Sequence, residues 1–185
     1  MKKHRSWQTG VSLVWLFLMS SAGFDLAWAQ EPVGVVTALQ GTAQLTRPAT
    51  PTPVVLRFKD GLLLRDIIDT QEKSLARVLF GGKSTVTVKE LSRLEVREEV
   101  LPTGATRAVH ELSSGAILVN VARELMRPGD EVQIRTPNTV AAVRGTTVIA
   151  QFIPALSQSI LTVLSGTASV TPQGLPPLTL APNTA

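Results

Sequence analysis

The 185-residue sequence contains no cysteine and no tyrosine, and its three tryptophans all lie within the first 29 residues. The lack of cysteine excludes disulfide bonds, thiolate metal ligands and a cysteine nucleophile. Only Phe58, Phe80 and Phe152 remain as large aromatic side chains after residue 29. Proteins that bind single strands of nucleic acid stack the bases on aromatic platforms. The sequence therefore predicts no nucleic-acid partner.

An excess of either charge is also missing after the first 29 residues. That segment holds three of the 18 basic and one of the 14 acidic residues, which leaves 15 basic and 13 acidic residues and a net charge of +2. The high pI of about 10.0 is therefore partly a property of the N-terminal segment. A near-neutral chain lacks the basic footprint that nucleic-acid binding requires.

The first 29 residues have the three parts of a secretory signal peptide in order. A basic cluster near Met1 precedes an apolar run, Val11 to Met19, and Ala27-Trp28-Ala29 provides the small residues that signal peptidase accepts. We predict a signal peptide over residues 1–29 with cleavage before Gln30. The mature protein is then periplasmic or secreted, with no stable membrane insertion after cleavage.

An uncleaved membrane anchor is the alternative interpretation of this segment. An anchor needs about 20 consecutive apolar residues. Here Ser20, Ser21 and Gly23 dilute the run and Asp25 ends it. Cleavage is favoured on these grounds.

Residues 30–185 alternate apolar and polar residues between closely spaced turn signals. The segments Thr85–Lys89, Arg93–Arg97 and Val132–Arg135 follow a period of two, which is typical of half-buried antiparallel strands. We predict a single all-β domain over residues 30–171, built of many short strands as an elongated sandwich or an irregular, β-solenoid-like roll. Residues 121–126 offer one helical turn at most.

Two proline-rich stretches are predicted to lie outside the central strands. Residues 48–53 are expected to form a loop and residues 172–185 a C-terminal surface tail, because proline cannot donate a hydrogen bond within a sheet.

A weak internal repeat centres on glycine followed by a small residue. Leu39–Thr46 resembles Leu164–Thr171, and Gly115-Ala116 and Gly145-Thr146 open apolar strands in the same manner. Glycine supplies a tight or positive-φ backbone at such points. Reused turn chemistry and a true structural repeat explain this echo equally well.

The most distinctive run is Thr136 to Ala150. Pro137 ends one strand, Gly145 permits a bend, and a β-branched apolar strand follows from Thr147. The combination of Thr136-Pro137 with Val143-Arg144-Gly145-Thr146 resembles the signature of the FecR domain, a bacterial extracytoplasmic module. Agreement extends to Gly41-Thr42-Ala43, Gly61–Thr70, Glu111–Val121 and Leu164–Val170, so the resemblance spans roughly residues 33–171.

The resemblance implies protein recognition, but it does not carry over the mechanism of the best-known members. Those are inner-membrane regulators of sigma factors, with a cytoplasmic anti-sigma segment, a transmembrane helix and a periplasmic domain that senses an outer-membrane transporter. Only about ten residues precede the apolar run here. We therefore expect the module without the anti-sigma segment.

The signature residues are Thr136, Pro137, Val143, Arg144, Gly145 and Thr146. Arg144 could clamp a carboxylate of a partner, or could tie neighbouring turns together by bonding backbone carbonyls. We favour the structural role for this side chain and for the whole signature.

Catalytic chemistry is not predicted. His110 is the sole histidine after residue 29, and a lone histidine forms neither a zinc site nor a convincing triad. We expect it to be solvated or hydrogen-bonded on a strand. Glu95, Glu98 and Glu99 alternate with arginines and indicate a solvated, mixed-charge face. We therefore predict no enzyme activity, no catalytic residues, no cofactor and no metal.

The function predicted from sequence is a non-enzymatic, extracytoplasmic binding or scaffolding module of the bacterial cell envelope. Its partner is a protein or another envelope component, recognised through strand edges or turns. The alternative is a soluble component of an envelope signalling pathway that resembles the sigma regulators. An envelope enzyme is the third and least supported possibility.

Overall fold

The structure is a computed structural model that describes residues 30–182. The predicted leader lies outside the described residues. Fifteen strands and two short 3-10 turns, Arg123–Leu125 and Pro154–Leu156, account for the regular structure of this part of the chain. The all-β prediction is confirmed, and the helical potential of residues 121–126 amounts to the first of these turns.

The strands form one continuous network that folds into two sheets, which we call sheet A and sheet B. Sheet A contains, in spatial order, β4 (Gly61–Leu62), β1 (Gly34–Gln40), β6 (Leu75–Phe80), β7 (Ser84–Val88), the second half of β9 (Thr106–Val121), β12 (Thr147–Ile153) and β13 (Gln158–Ser165).

Sheet B is joined to sheet A through the long strand β9. It contains, in spatial order, β3 (Thr50–Val55), β2 (Ala43–Arg47), β5 (Ile67–Thr70), β8 (Arg93–Val100), the first half of β9, β10 (Glu131–Thr136), β11 (Thr139–Val143), β14 (Ala168–Pro172) and β15 (Leu178–Leu180). All pairs are antiparallel except β9 with β10, which run parallel.

One hydrophobic core lies between the two sheets. Val78, Val86 and Ile117 contribute to it from sheet A, and Leu94 and Leu112 from sheet B. All five side chains are fully buried. The period of two in the sequence places every second side chain on this inner face.

The chain passes from one sheet to the other at glycines. Gly41 connects β1 to β2, and Gly115 bends β9 in its middle. Gly145 and Gly166 make the same change of sheet between β11 and β12 and between β13 and β14. Each of the four glycines of the internal repeat therefore lies where the chain crosses from one sheet to the other.

The Gly115 crossover shows why a side chain is excluded there. Gly115 has φ +80, and a Cβ at this position would lie 2.6 Å from the backbone oxygen of Leu91. The next residue, Ala116, donates its N–H to Ser92 Oγ at 2.8 Å. The same bond recurs at Gly41, where Thr42 N–H donates to Ser74 Oγ at 2.9 Å. We call this end of the sandwich the closed end.

The opposite end is the one where β6 ends and β10 begins, and we call it the cavity end. Register fixes the assignment: Phe152 of β12 pairs with Gly115 at the closed end, whereas Thr147 pairs with Asn120 near the other end. The Gly145 and Gly166 crossovers lie at the cavity end.

Both proline-rich stretches contain edge strands where we predicted a loop and a tail. β3 begins within residues 48–53, at Thr50, and pairs with β2. β15 lies within the predicted tail and pairs with β14. An edge strand bonds a neighbour on one side only, so a proline can turn its missing N–H outward. Neither stretch enters the centre of a sheet.

Candidate functional site

The structure does not bring the six signature residues together. Thr136 and Pro137 lie at the closed end, in the turn between β10 and β11. The other four lie at the cavity end: Val143 is the last residue of β11, and Arg144, Gly145 and Thr146 follow it. The five residues of β11 separate the two groups by about 16 Å. They therefore act as two local structures.

The first group connects two hairpins. Thr136 Oγ1 and Ser159 Oγ are 2.7 Å apart, and Asn138 Nδ2 donates to the backbone oxygen of Ser157 at 2.7 Å. These bonds join the β10–β11 turn of sheet B to the start of β13 in sheet A. Sequence analysis missed Asn138 and Ser159, because nothing local indicates that residues about 20 positions apart meet.

The second group packs against the connection that precedes β10. Thr146 Oγ1 donates to the backbone oxygen of Thr167 at 2.7 Å, and a Cβ on Gly145 would lie 2.6 Å from Cβ of Arg123. The side chain of Val143 is buried in the core. These contacts describe how the segment is held in place, while the role of the signature in the family stays a prediction.

Arg144 is exposed, and its guanidinium forms no hydrogen bond or ion pair with any residue in the range 30–182. The bonds to backbone carbonyls that we favoured from sequence are therefore not formed. The side chain follows Val143, which faces the core, so the alternation of β11 directs Arg144 outward.

Within the part of the chain that the structure describes, the two sheets have four edges, and three of them are protected against pairing with another chain. β4 and β15 contain only two and three residues. β3 carries Pro51 and Pro53, which interrupt a regular hydrogen-bond ladder.

The fourth edge, β13, has none of these protections. Its eight residues, Gln158–Ser165, include no charged residue and no proline. β13 pairs only with β12 among the described strands, so its other side presents unpaired backbone groups. Ile160 and Leu164 are 40% and 49% exposed. A long, uncharged and partly apolar edge is a template for an added strand. We call β13 the open edge and consider it the candidate functional site.

His110 corrects an expectation from the sequence, because it is neither solvated nor hydrogen-bonded. The side chain is fully buried, and neither ring nitrogen has a partner among residues 30–182. Burial lowers its pKa to about 4. Ala108, His110 and Leu112 alternate on the inner face of β9, and this period could have shown that the ring points inward.

Glu95 and Glu99 lie on a mixed-charge face on the outer surface of sheet B, as the sequence predicted. Glu98 does not, because it alternates with them along β8 and lies beside Val96 and Ala108 on the other side of the sheet. Arg97 Nε lies 2.8 Å from Glu95 and 3.1 Å from Glu111. Glu99 is paired with Arg135 at 2.7 Å and with Arg107 at 3.2 Å, and the hydrogen bond from Arg135 lowers the pKa of Glu99. Because these carboxylates are already paired with arginines, they make a poor acid–base pair.

Searches for two other kinds of site are negative within residues 30–182. No three His, Asp or Glu side chains of this range are grouped as metal ligands. A helix with the length and apolarity for crossing a bilayer is likewise not found there.

The fold and its crossovers match a known protein family. The family model described as FecR protein matches residues 66–169, more than half of the sequence. The chain belongs to the FecR family. The match runs from the residue before β5 into β14, so it includes the open edge and both signature groups.

Solved structures agree with the assignment at the level of the fold. Two crystal structures of a candidate anti-sigma factor from Parabacteroides distasonis ATCC 8503, at 1.65 and 2.50 Å resolution, each superpose with a TM-score of 0.53 at 17% sequence identity. Each match covers 63% of this chain and 51% of the other, so the FecR-family chain spans about half the length of that protein. None of the curated proteins compared with the chain matches it.

Proposed function

We propose that this FecR-family protein is a non-enzymatic protein-recognition component of an envelope signalling pathway. The family match over residues 66–169 carries the proposal, and a fold shared with a candidate anti-sigma factor favours signalling over simple scaffolding. This was the alternative in the sequence analysis. The main prediction there, a binding or scaffolding module, remains the second candidate because the open edge fits any protein partner.

Recognition takes place at the open edge. An extended segment of the partner adds a strand beside β13, and the new backbone hydrogen bonds supply affinity that depends little on sequence. Ile160 and Leu164 supply selectivity, because their exposed apolar surface is covered only by a partner with apolar residues at matching positions.

The state of the candidate groups supports a non-enzymatic role. His110 is buried without a partner that could orient it, and a general base must reach its proton within hydrogen-bond distance. Glu95, Glu99 and Glu111 are engaged by arginines.

The extracytoplasmic location rests on the leader. Its basic, apolar and small-residue parts favour export, with residues 30 onward acting in the periplasm or outside the cell. Partners are then envelope proteins rather than cytoplasmic ones.

Site-specific photo-crosslinking in the producing bacterium tests the proposal. The photoreactive residue p-benzoylphenylalanine replaces Ile160 on the open edge or, as a matched control, Val54 on the protected β3 edge, which is 50% exposed. We expect Ile160 to crosslink to one envelope protein of a signalling system and Val54 to give no such product.

A charge variant and a transcriptional reporter complete the test. The double variant Ile160→Lys and Leu164→Lys should abolish the crosslink from a third β13 position, Thr162, because lysines block edge pairing. Val54→Lys with Val55→Lys is the control. Loss of the chain should also change the output of the partner's regulon. Crosslinking without any such change supports scaffolding, and equal crosslinking from both edges rejects the open edge.

A further inference from the structure

A small cavity at the cavity end lies between the two sheets and does not touch the open edge. Its volume is about 170 Å³. The lining runs from the fully buried His110 to the exposed Gly81 and Glu98, so the cavity reaches the surface. Its walls are mostly apolar, and the principal residues are Val33, Phe80, Val96, Ala108, Met126 and Val132.

His110 lies at the inner end of the cavity, and neighbouring protein atoms cover its two ring nitrogens. The imidazole is stacked at a tilt against Phe80, with ring centroids 4.8 Å apart. Neutral imidazole carries one donor and one acceptor nitrogen, and both lack a partner among the described residues. Buried polar groups are nearly always hydrogen-bonded, and an orphaned one calls for an explanation such as a missing ligand.

Four of the five charged side chains at the mouth are in ion pairs, and the fifth, Glu98, is exposed and has no ion-pair partner among residues 30–182. Lys83 Nζ donates to Asp130 Oδ2 at 2.6 Å, and Asp130 also accepts from the N–H groups of Thr106 and Arg127. Glu131 lies near Arg107, at 3.4 Å. Because the other four charges are paired and Glu98 is exposed to solvent, the cavity favours a neutral ligand over an ion.

Size and wall chemistry narrow the ligand further. An apolar cavity of about 150 Å³ accommodates benzene, so 170 Å³ accommodates one six-membered ring with a small substituent. Phe80 and the Met126 thioether both make favourable contacts with an aromatic ring. The nitrogens of His110 are covered by protein atoms, and the flexible Met126 is the side chain suited to yield when a ligand enters.

We propose that this cavity binds a neutral phenolic ring, with the phenol hydroxyl hydrogen-bonded to the imidazole of His110. The ring can belong to a free small molecule or to a tyrosine side chain of a partner, since both present the same chemistry. Nothing in this proposal depends on the open edge.

Titration of the full chain with phenol, followed by the imidazole ¹⁵N signals of His110, tests the proposal. We expect a saturable shift and a rise in Tm with phenol concentration, because a ligand that binds only the folded state stabilises it. Benzene lacks the hydroxyl and cyclohexanol lacks the aromatic ring. Each should bind at least about tenfold more weakly than phenol.

The variant His110→Phe keeps a ring and removes both nitrogens, and it should bind phenol and benzene equally. If this variant does not fold, the comparison of phenol with benzene on the unaltered chain still decides. The proposal is wrong if phenol gives no saturable shift up to roughly 10 mM, if benzene binds as well as phenol, or if His110→Phe retains the preference.

Two further arms separate the sources of the ring while testing the same site. The two test compounds are N-acetyltyrosinamide and a tyrosine-containing peptide. If they bind more tightly than phenol and shift the His110 signals in the same way, the natural ligand is a tyrosine side chain of a partner. If phenol binds and neither tyrosine compound binds, the natural ligand is a free small molecule. Crosslinking at Ile160 does not depend on phenol binding. If phenol does not bind, the proposed function still stands, and if Ile160 does not crosslink, the phenol site still stands.

Discussion

The two ends of the sandwich are held together in different ways. At the closed end, backbone lies directly on backbone: Gly115 contacts Leu91 and Ser92, and Gly41 contacts Ser74 in the same manner. At the cavity end, Gly166 lies against the backbone of Gly145 in the same way. Beside that crossover, however, side chains span the gap, with Lys83 and Asp130 at the mouth and His110 behind them. Contact between backbones leaves no adjustable volume, whereas spanning side chains leave a cavity. The closed end therefore fixes the fold, and the cavity end has room for a ligand.

The largest effect is expected at the closed end. Gly115→Ala should destabilise the protein by about 2–5 kcal/mol, because the positive φ costs about 1–2 kcal/mol and overpacking against Leu91 and Ser92 adds about 1–3 kcal/mol. Gly104→Ala is the matched control, since Gly104 has φ +79 but open space around it. This variant should lose only the stability that the positive φ costs. Urea denaturation measures both. Equal losses would show that the backbone contact at Gly115 is unimportant.

An intermediate effect is expected where side chains close the cavity end. Asp130→Ala removes the ion pair with Lys83 and leaves the N–H groups of Thr106 and Arg127 without their acceptor. We expect a loss of about 2–4 kcal/mol. The hydrogen bond from Lys83 holds the pKa of Asp130 well below its ordinary range, so the loss should persist at mildly acidic pH.

The control for Asp130 is Asp69→Ala. Asp69 pairs with Arg93 at 2.7 Å, but both side chains are considerably more exposed. An exposed pair contributes at most about 1 kcal/mol. Thermal or urea unfolding of the two variants compares them, and similar losses would mean that the backbone bonds of Asp130 contribute nothing.

The smallest of the three effects depends on pH and comes from His110. Its pKa is lowered by burial to about 4 in the folded state, against about 6.5 when unfolded. The unfolded state therefore binds more protons between these values, and stability falls as the pH falls. The loss between pH 7 and pH 5 should be about 2 kcal/mol.

The variant His110→Phe isolates this contribution, because its free energy of unfolding should lack the part of the pH dependence that comes from His110. Burial raises the pKa of Asp66, which acts in the opposite direction and is present in both proteins. Unfolding free energies measured at several pH values provide the comparison. Parallel curves for the two proteins would show that His110 does not titrate on unfolding.

Alternation and glycine placement allowed much of the fold to be predicted. The segments around Val86, Leu94 and Val132 became strands β7, β8 and β10, because a period of two has only one way to bury an apolar face. The sequence echo at Gly41 and Gly166 also had a structural counterpart, since both glycines occupy crossovers between the sheets.

The candidate site could be predicted less well. No sequence feature marked the Gln158–Ser165 segment, and its importance depends on which strands lie beside it. Arg144 stood out in the sequence because of its motif, but its bonding depends on distant groups that do not approach it. His110 was predicted to be solvated or hydrogen-bonded, because a lone histidine usually has one of these roles, and its place in the alternation of β9 indicates burial instead.

The sequence by itself determined where several central strands lie, where the chain bends and that the protein belongs to an all-β class without cysteine chemistry. These properties depend on local backbone sterics and on side-chain period, which neighbouring residues set. Only the tertiary structure decided that Gly115 packs against Ser92, that His110 lines a cavity and that β13 is the open edge. Each of these depends on contacts between segments distant in sequence, and local patterns do not encode such pairings.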